Sequence, residues 1–442
     1  MNPGREDFWF LPLGGCGEVG MNLNLYGHNG KWLMVDCGIT FEANSNTNER
    51  ARVVAADPQF ITARQDSLAG IVATHAHEDH IGALPHLINQ FRVPVYTTPF
   101  TANILRQKFR RADISATVIE VLSRETLTIG PFRVKWLPVT HSTLETHALL
   151  ISTPVATVLH TADWKIDLDP VAGETFDAAM LQNLARLPLD AVVCDSTNAT
   201  LPGHSLSESA LAAGLKELVC ATEGRVVVAC FASNIARLQT LGRIAAETGR
   251  HLGVLGQSLQ TMIDSAKSCG YLSAAFEPVD ETCLGYLPPD ELLVVTTGSQ
   301  GEPGAALHQL AMDSHPHLNL AAGDTVLFSA RAIPGNEANI KRLADRLIQA
   351  DVRVIMASDA NMPIHASGHP CADELDQLYR WTAPRLAIPV HGESTHLAAN
   401  AEIARQAGVP AQLVGKNGDL FDIRADRLVH SAASSGRIPV NR

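Results

Sequence analysis

The chain has 442 residues, 46% of them hydrophobic and 18% charged, enough to bury a sizeable core in two domains or in one large domain carrying an insertion. A formal net charge of -12 excludes a protein that coats nucleic acid with a general basic surface, though a local basic groove stays open. No run approaches the roughly 18 consecutive apolar residues of a membrane span, and the start MNPGREDFWFLPLGGCGEVG lacks a basic segment followed by an apolar one.

A soluble, cytoplasmic protein without a secretion signal or membrane partner is therefore expected. The eight cysteines agree. They form no CxxC pair and mostly lie in apolar stretches such as AVVCDS and VVVACF, as buried reduced thiols do.

Up to about residue 195 short β-type runs alternate with turns: FWFLPL, NLNLYG, KWLMVDCG, AGIVATH, VPVYTT, FRVKWLPVTH, HALLIST, VATVLHTAD and DAVVCDST. Their length and their Val, Ile, Leu and Thr content predict buried strands. PHLINQF and FTANILRQKFRR are the best helices among them, and the basic cluster RQKFRR reads as a helix end with cations near its C-terminus. After DSTN the rhythm becomes helix and strand in alternation, which implies a largely parallel α/β sheet. Ser205 and Glu208 have the S-x-x-E spacing of a capping box and predict the start of the helix SESALAAGLKELVCAT.

The glycine run GCGEVG at 15–20 matches G-x-G-x-x-G, but a dinucleotide site needs a helix after the glycines. The following MNLNLYGHNGKWLMVDCG alternates like a strand, turns at HNG and alternates again. A hairpin is predicted, and no nucleotide.

The densest chemistry is THAHEDHIG at 74–82. His75, His77, Asp79 and His80 follow the apolar run AGIVATH, so they leave the end of a strand. Imidazole and carboxylate are the donors that hold zinc or manganese, and four in six residues can serve two adjacent ions. One short segment cannot close two coordination shells. His141 after WLPVT, Asp163 after VLHTA and His391 after AIPV supply further donors at strand ends, with Asp163 suited to bridge two ions. Asp36, ending LMVD, suits a carboxylate that orients a ligand from behind.

H-x-H-x-D-H followed by a later His, Asp and His resembles the metallo-β-lactamase superfamily. CDSTNAT, FASNIARLQ, TGSQGEPGAAL, IPGNEANI, IHASGHP and IPVHGEST narrow the resemblance to its β-CASP group of nucleases, most closely to the bacterial ribonuclease J family. The similarity runs from LGGCGEVGMN to about residue 410. It implies an α/β fold, an αββα metallo-β-lactamase sandwich with an inserted α/β β-CASP domain. Residues 1–200 would form the first part of the sandwich, 201–350 the insertion and 351–442 the returning part. The further C-terminal domain common in the family is expected to be absent, which leaves a homo-oligomer open.

Carried over, the resemblance implies two divalent ions, zinc first and manganese as the alternative. His75, His77 and His141 would hold one, Asp79, His80 and His391 the other, and Asp163 would bridge. His369 of SGHP would lie near the scissile phosphate, supported by Asp195, with Asp79 also orienting or deprotonating water. Ser233 and Asn234, just before a helix, together with His365, Ser367 and Gly368, would contact RNA near its 5′ end. Pro370 departs from the family, which more usually has a small residue there.

The implied activity is a metal-dependent ribonuclease, a 5′-to-3′ exonuclease with endonuclease capacity, acting on single-stranded RNA with a 5′ monophosphate preferred. Three competitors remain at this stage: a small-molecule ester, lactone or thioester hydrolase using the same metal edge, a DNA-directed nuclease of the same group, and a non-catalytic RNA-binding subunit. The first leaves the insertion unexplained, and the last conflicts with a complete set of ligand-type residues.

Overall fold

The structure is a computed structural model that describes residues 1–42, 52–273, 275–333 and 335–440. Two mixed sheets stack face to face. One carries, among eight strands, Trp9–Gly14, Leu23–His28, Lys31–Val35, Leu68–Val72 and Val95–Thr97. The other, of seven strands, includes Phe132–Pro138, His147–Ser152, Thr157–His160, Ala191–Asp195 and Leu386–Val390. The period-two alternation of side chains sorts each strand between two cores. Phe10, Tyr26, Leu33 and Val72 meet Trp136, Leu149, Val158 and Ile388 between the sheets. Leu11, Leu25 and Met34 face outward, onto Leu84, Leu87 and Phe91 of helix Leu84–Phe91 and Phe100 and Ile104 of helix Pro99–Arg111. Leu150, Leu159 and Val192 face the opposite way, onto Leu375, Leu378 and Tyr379 of helix Ala372–Thr382. That is a four-layer αββα sandwich.

Between Ala191–Asp195 and its parallel neighbour Leu386–Val390 the chain builds a second unit, a five-stranded parallel sheet. Its strands Val226–Ala229, His251–Leu255, Leu292–Thr296, Thr325–Phe328 and Arg353–Met356 are flanked by helices on both faces. Arg353–Met356 pairs with Thr325–Phe328, so this sheet reaches beyond residue 350, the end of the insertion that the family resemblance implies. A strand of four residues carries no compositional mark that says which sheet it will join.

Leu23–His28 and Lys31–Val35 form an antiparallel hairpin, closed by Asn29 and Gly30, both at positive φ, as a two-residue primed turn requires. No helix follows GCGEVG. The Gly15 carbonyl instead accepts the backbone N–H of His391 at 2.6 Å. The capping box is absent. Ser205 gives its amide to Glu374 and its hydroxyl to the His369 carbonyl, and Glu208 is buried against Arg237. Ser207 instead caps a short 3-10 turn, Glu208–Leu211, ahead of helix Ala212–Cys220. Two of the four cations ending helix Pro99–Arg111 are paired in place, Arg106 with Glu120 and Lys108 with Glu78, while Arg111 bonds Thr261.

All eight cysteines are free thiols. Among the described residues no helix is long and apolar enough to cross a membrane.

Candidate metal centre

The strands Lys31–Val35 and Leu68–Val72 run parallel, as do Thr157–His160, Ala191–Asp195 and Leu386–Val390. Their C-terminal ends therefore share one rim, the usual place for a site on such a sheet. Asp36, Ala162 and His391 each adopt positive φ just past a strand. This conformation costs a non-glycine residue free energy, and it turns the chain so that Asp36, Asp163 and His391 reach the rim. Opposite them Gly38 lies against the turn 79–80: a Cβ there would sit 1.7 Å from the Asp79 carbonyl, and only glycine allows that approach.

Two groups of donors converge. In the first, His77 Nδ1 stands 3.1 Å from His75 Nε2 and 3.0 Å from His141 Nε2. In the second, Asp79 Oδ2 lies 3.5 Å from His80 Nε2 and 3.2 Å from His391 Nε2. One oxygen belongs to both: Asp163 Oδ2 is 3.7 Å from His75 Nε2, 3.5 Å from His141 Nε2 and 3.2 Å from His80 Nε2.

Hydrogen bonds to the far side of each ring assign its tautomer. His80 Nδ1 donates to Asp36 at 2.7 Å. His141 Nδ1 donates to the Gly368 carbonyl at 2.6 Å. The Thr74 hydroxyl is donated to Asp36, so it accepts from His75 Nδ1 at 3.0 Å. The Thr197 hydroxyl is donated to Asp195, so it accepts from His391 Nδ1 at 2.8 Å. In all four rings Nδ1 carries a proton and Nε2 faces the cluster, the arrangement by which partners behind a ligand present it to a metal.

Lone pairs aimed at one another about 3 Å apart repel unless a proton or a cation lies between them. The edge of a tetrahedron with bonds of ~2.0–2.1 Å is roughly 3.3 Å, close to these spacings, and neutral imidazole with carboxylate is the donor set of zinc and manganese. The residues fit a metal site.

Electrostatics divides the rings. Burial, reinforced by neighbouring imidazoles, holds His75 and His141 well below the usual histidine range, and burial takes His77 down to about 4. For His80 and His391 burial acts in the same direction, but the surrounding carboxylates, Asp163 foremost, outweigh it and hold both well above that range. Asp79 and Asp163 are held well below the carboxylate range because the facing imidazoles outweigh the burial that would raise them.

His369 completes the rim. Its Nδ1 is 2.8 Å from Asp195, and although burial opposes it, Asp195 and Asp163 raise its pKa. Its side chain is 21% exposed and that of Asp79 29%, against 4% or less for His75, His80, His141, His391 and Asp163. These two, with the partly exposed His77, form the open mouth of the cluster. A third group of possible donors, Asp163, Asp195, His369 and His391, also clusters. Asp195 is already committed there, to His369 and to the Thr197 amide and hydroxyl.

The structure thus brings together Asp36, His75, His77, Asp79, His80, His141, Asp163, Asp195, His369 and His391. The residues expected to contact RNA divide. Asn234 caps helix Ile235–Glu247 by accepting the Arg237 amide and donates to Glu208. Ser367 accepts from Asn198 and from the His369 amide. Gly368 is where the chain passes His141, and His365 Nδ1 is buried without a partner. Sequence reasoning missed Thr74, Thr197 and Asn22, whose amide lies 3.1 Å from His80 Nε2. A threonine next to a strand-end ligand is the one signal that could have suggested the first two.

Residues 17–194 match the metallo-beta-lactamase superfamily model, 223–347 the beta-CASP domain model of ribonuclease J, and 361–414 a Zn-dependent metallo-hydrolase RNA specificity domain. The chain is 40% identical over 424 residues to ribonuclease J of Sinorhizobium meliloti, covering 94% of this chain and 74% of that protein. It is 37% identical over 434 residues to ribonuclease J of Mycolicibacterium smegmatis, covering 97% and 76%. A crystal structure of a protein of unknown function from Enterococcus faecalis V583 shares the fold, with a TM-score of 0.65 at 15% identity over 94% of this chain and 99% of that one. With a metal-type cluster at the strand ends and the inserted parallel sheet in place, the chain belongs to the ribonuclease J family of the metallo-β-lactamase superfamily.

Proposed function

We propose that this chain is a metal-dependent ribonuclease that hydrolyses single-stranded RNA as a 5′-to-3′ exonuclease with endonuclease capacity, using two divalent ions, zinc or manganese. The observation that carries the reading is the shared position of Asp163 Oδ2, within 3.2 to 3.7 Å of ring nitrogens from both donor groups. His75, His77 and His141 would hold one ion, Asp79, His80 and His391 the other, and Asp163 would bridge. When bound, such ions make water acidic enough to attack and neutralise charge on the phosphate.

The chain's own groups do the rest. Asp79, at the open mouth, orients the attacking water by accepting its hydrogen bond. His369 gives its Nδ1 proton to the bond with Asp195, so its Nε2 is the atom that delivers a proton to the departing 3′ oxygen, leaving a 5′ phosphate on the downstream product. The raised pKa of His369 suits a general acid near neutral pH.

A 5′ monophosphate would be received at the start of helix Ile235–Glu247, where the helix dipole favours an anion. The Ser233 hydroxyl and the unpartnered Nδ1 of His365 offer polar groups there, and Ser367 retains its hydroxyl proton. Asn234 fixes the helix end instead of touching the phosphate. Eight free thiols suit a reducing cytoplasm.

The test is an internally labelled RNA with a 5′ monophosphate or a 5′ triphosphate, incubated with zinc or manganese, alongside the DNA analogue and a His77→Ala control. Mononucleotides released chiefly from the monophosphorylated RNA, and not by the variant, are expected. Intact RNA under both metals sinks the reading.

A further inference from the structure

We propose that Arg237, in the inserted domain, is a positioning residue for the catalytic rim, acting through the backbone of residues 364–369. Arg237 is 1% exposed and lies on helix Ile235–Glu247. One side of its guanidinium forks onto Glu208, Nε to Oε2 at 3.0 Å and Nη2 to Oε1 at 2.9 Å. Its remaining nitrogen, Nη1, points the other way, to the carbonyls of Ser329 at 2.9 Å and Ile364 at 3.2 Å. The Ser329 hydroxyl also donates to the Ile364 carbonyl, at 2.5 Å, so that carbonyl is gripped by two donors of the inserted domain.

Ile364 opens the segment that carries the chemistry. Four residues on, the Gly368 carbonyl takes the His141 Nδ1 proton, and the next residue is His369. The far end is anchored in the sandwich, where the His369 carbonyl accepts from Asn198 and Ser205. The segment is thus strung between the two units. Its tension at the Arg237 end sets where the Gly368 carbonyl stands, and with it the angle of the His141 ring and the reach of His369.

Stability alone is a weak reason for such a residue, since a buried ion pair often contributes little net free energy beyond apolar packing. Geometry is the better reason. Only a planar fork with five fixed donors satisfies a carboxylate on one side and two carbonyls on the other. The inference rests on the ribonuclease reading for its activity arm only.

Two variants test it: Ser329→Ala, which removes one donor from the Ile364 carbonyl and keeps the ion pair, and the double variant Glu208→Gln/Arg237→Met, which leaves no unpaired charge. The first readout is the His141 Nδ1 proton of the zinc-loaded full chain labelled with ¹⁵N-histidine, assigned by its loss in His141→Gln. Its exchange with solvent is expected to quicken by roughly tenfold or more in both variants, as local opening becomes easier. The second readout is steady-state cleavage of RNA and of bis(p-nitrophenyl) phosphate. On both substrates kcat is expected to fall roughly 10- to 100-fold with KM little changed, the usual scale for a small misplacement. Unchanged imidazole exchange, or a rise in KM with kcat held, overturns the proposal and leaves Arg237 as a staple of its own domain. If the double variant does not fold, Ser329→Ala decides by the same two readouts. If wild type leaves RNA intact, the ribonuclease reading fails while the exchange measurement still decides this one.

Discussion

His141 Nδ1 donates to the carbonyl of Gly368 at 2.6 Å, joining positions 227 residues apart. A Cβ at Gly368 would lie 2.6 Å from the His141 ring and 2.7 Å from the Ser142 hydroxyl. Gly368→Ala therefore pushes the ring off its carbonyl. Because such partners are worth roughly 10- to 100-fold in metal affinity or activity, the variant should lose that much, with secondary structure retained. Metal content after dialysis, read beside circular dichroism, checks it, and full retention of metal and activity would contradict the geometry.

Asp36 serves two of the candidate donors, His80 directly and His75 through Thr74. Asp36→Asn should weaken metal binding more than Thr74→Val, since the second change touches only the His75 branch. A decrease of roughly 10- to 100-fold is expected for Asp36→Asn, measured by competition with a chromogenic chelator. Equal effects would mean that the two branches are not separate.

His369 stands outside the two donor groups that share Asp163 Oδ2, bound to Asp195 and partly open to solvent. His369→Gln should leave metal content intact and lower kcat by roughly 10²- to 10⁴-fold, the range for losing a general acid. Leaving groups that need no proton, such as p-nitrophenolate, should be affected far less than RNA. Equal losses on both substrates would assign His369 to metal binding instead.

The donors were legible because the strand-end ones each follow an apolar run, with His77, Asp79 and His80 close behind His75, and the parallel strands carry such residues to one rim. Asp36 and Asp163 read out for the same reason. What orients them did not: the Gly368 carbonyl has no side-chain signature, and Thr74 and Thr197 act through hydroxyls that any strand-end threonine could point elsewhere. Ser205 and Glu208 misled because tertiary partners, His369, Glu374 and Arg237, took the groups that a local capping box would have used. The strand Arg353–Met356 lay past the expected division because sheet membership is decided by pairing with Thr325–Phe328, which local pattern does not encode.

Glu208 gives a pH-dependent prediction free of the metal centre. Burial pushes its carboxyl up, but the charge and hydrogen bonds of Arg237 outweigh it and hold it below the usual glutamate range. A depressed folded-state pKa contributes stability that is present above the unfolded value of ~4.3 and is lost as pH falls through the folded one. Glu208→Gln leaves the Arg237 charge buried and unpaired, which typically costs about 3–5 kcal/mol. At pH 7 the variant should therefore unfold at distinctly lower urea than wild type. As pH falls below the unfolded value and through the folded one, wild type protonates Glu208 and meets the same unpaired arginine, so the gap should narrow. Urea midpoints for both proteins at pH 7, 5, 4 and 3 measure it. A gap that stays constant across that range would locate the loss in packing and hydrogen bonding, not in the glutamate charge.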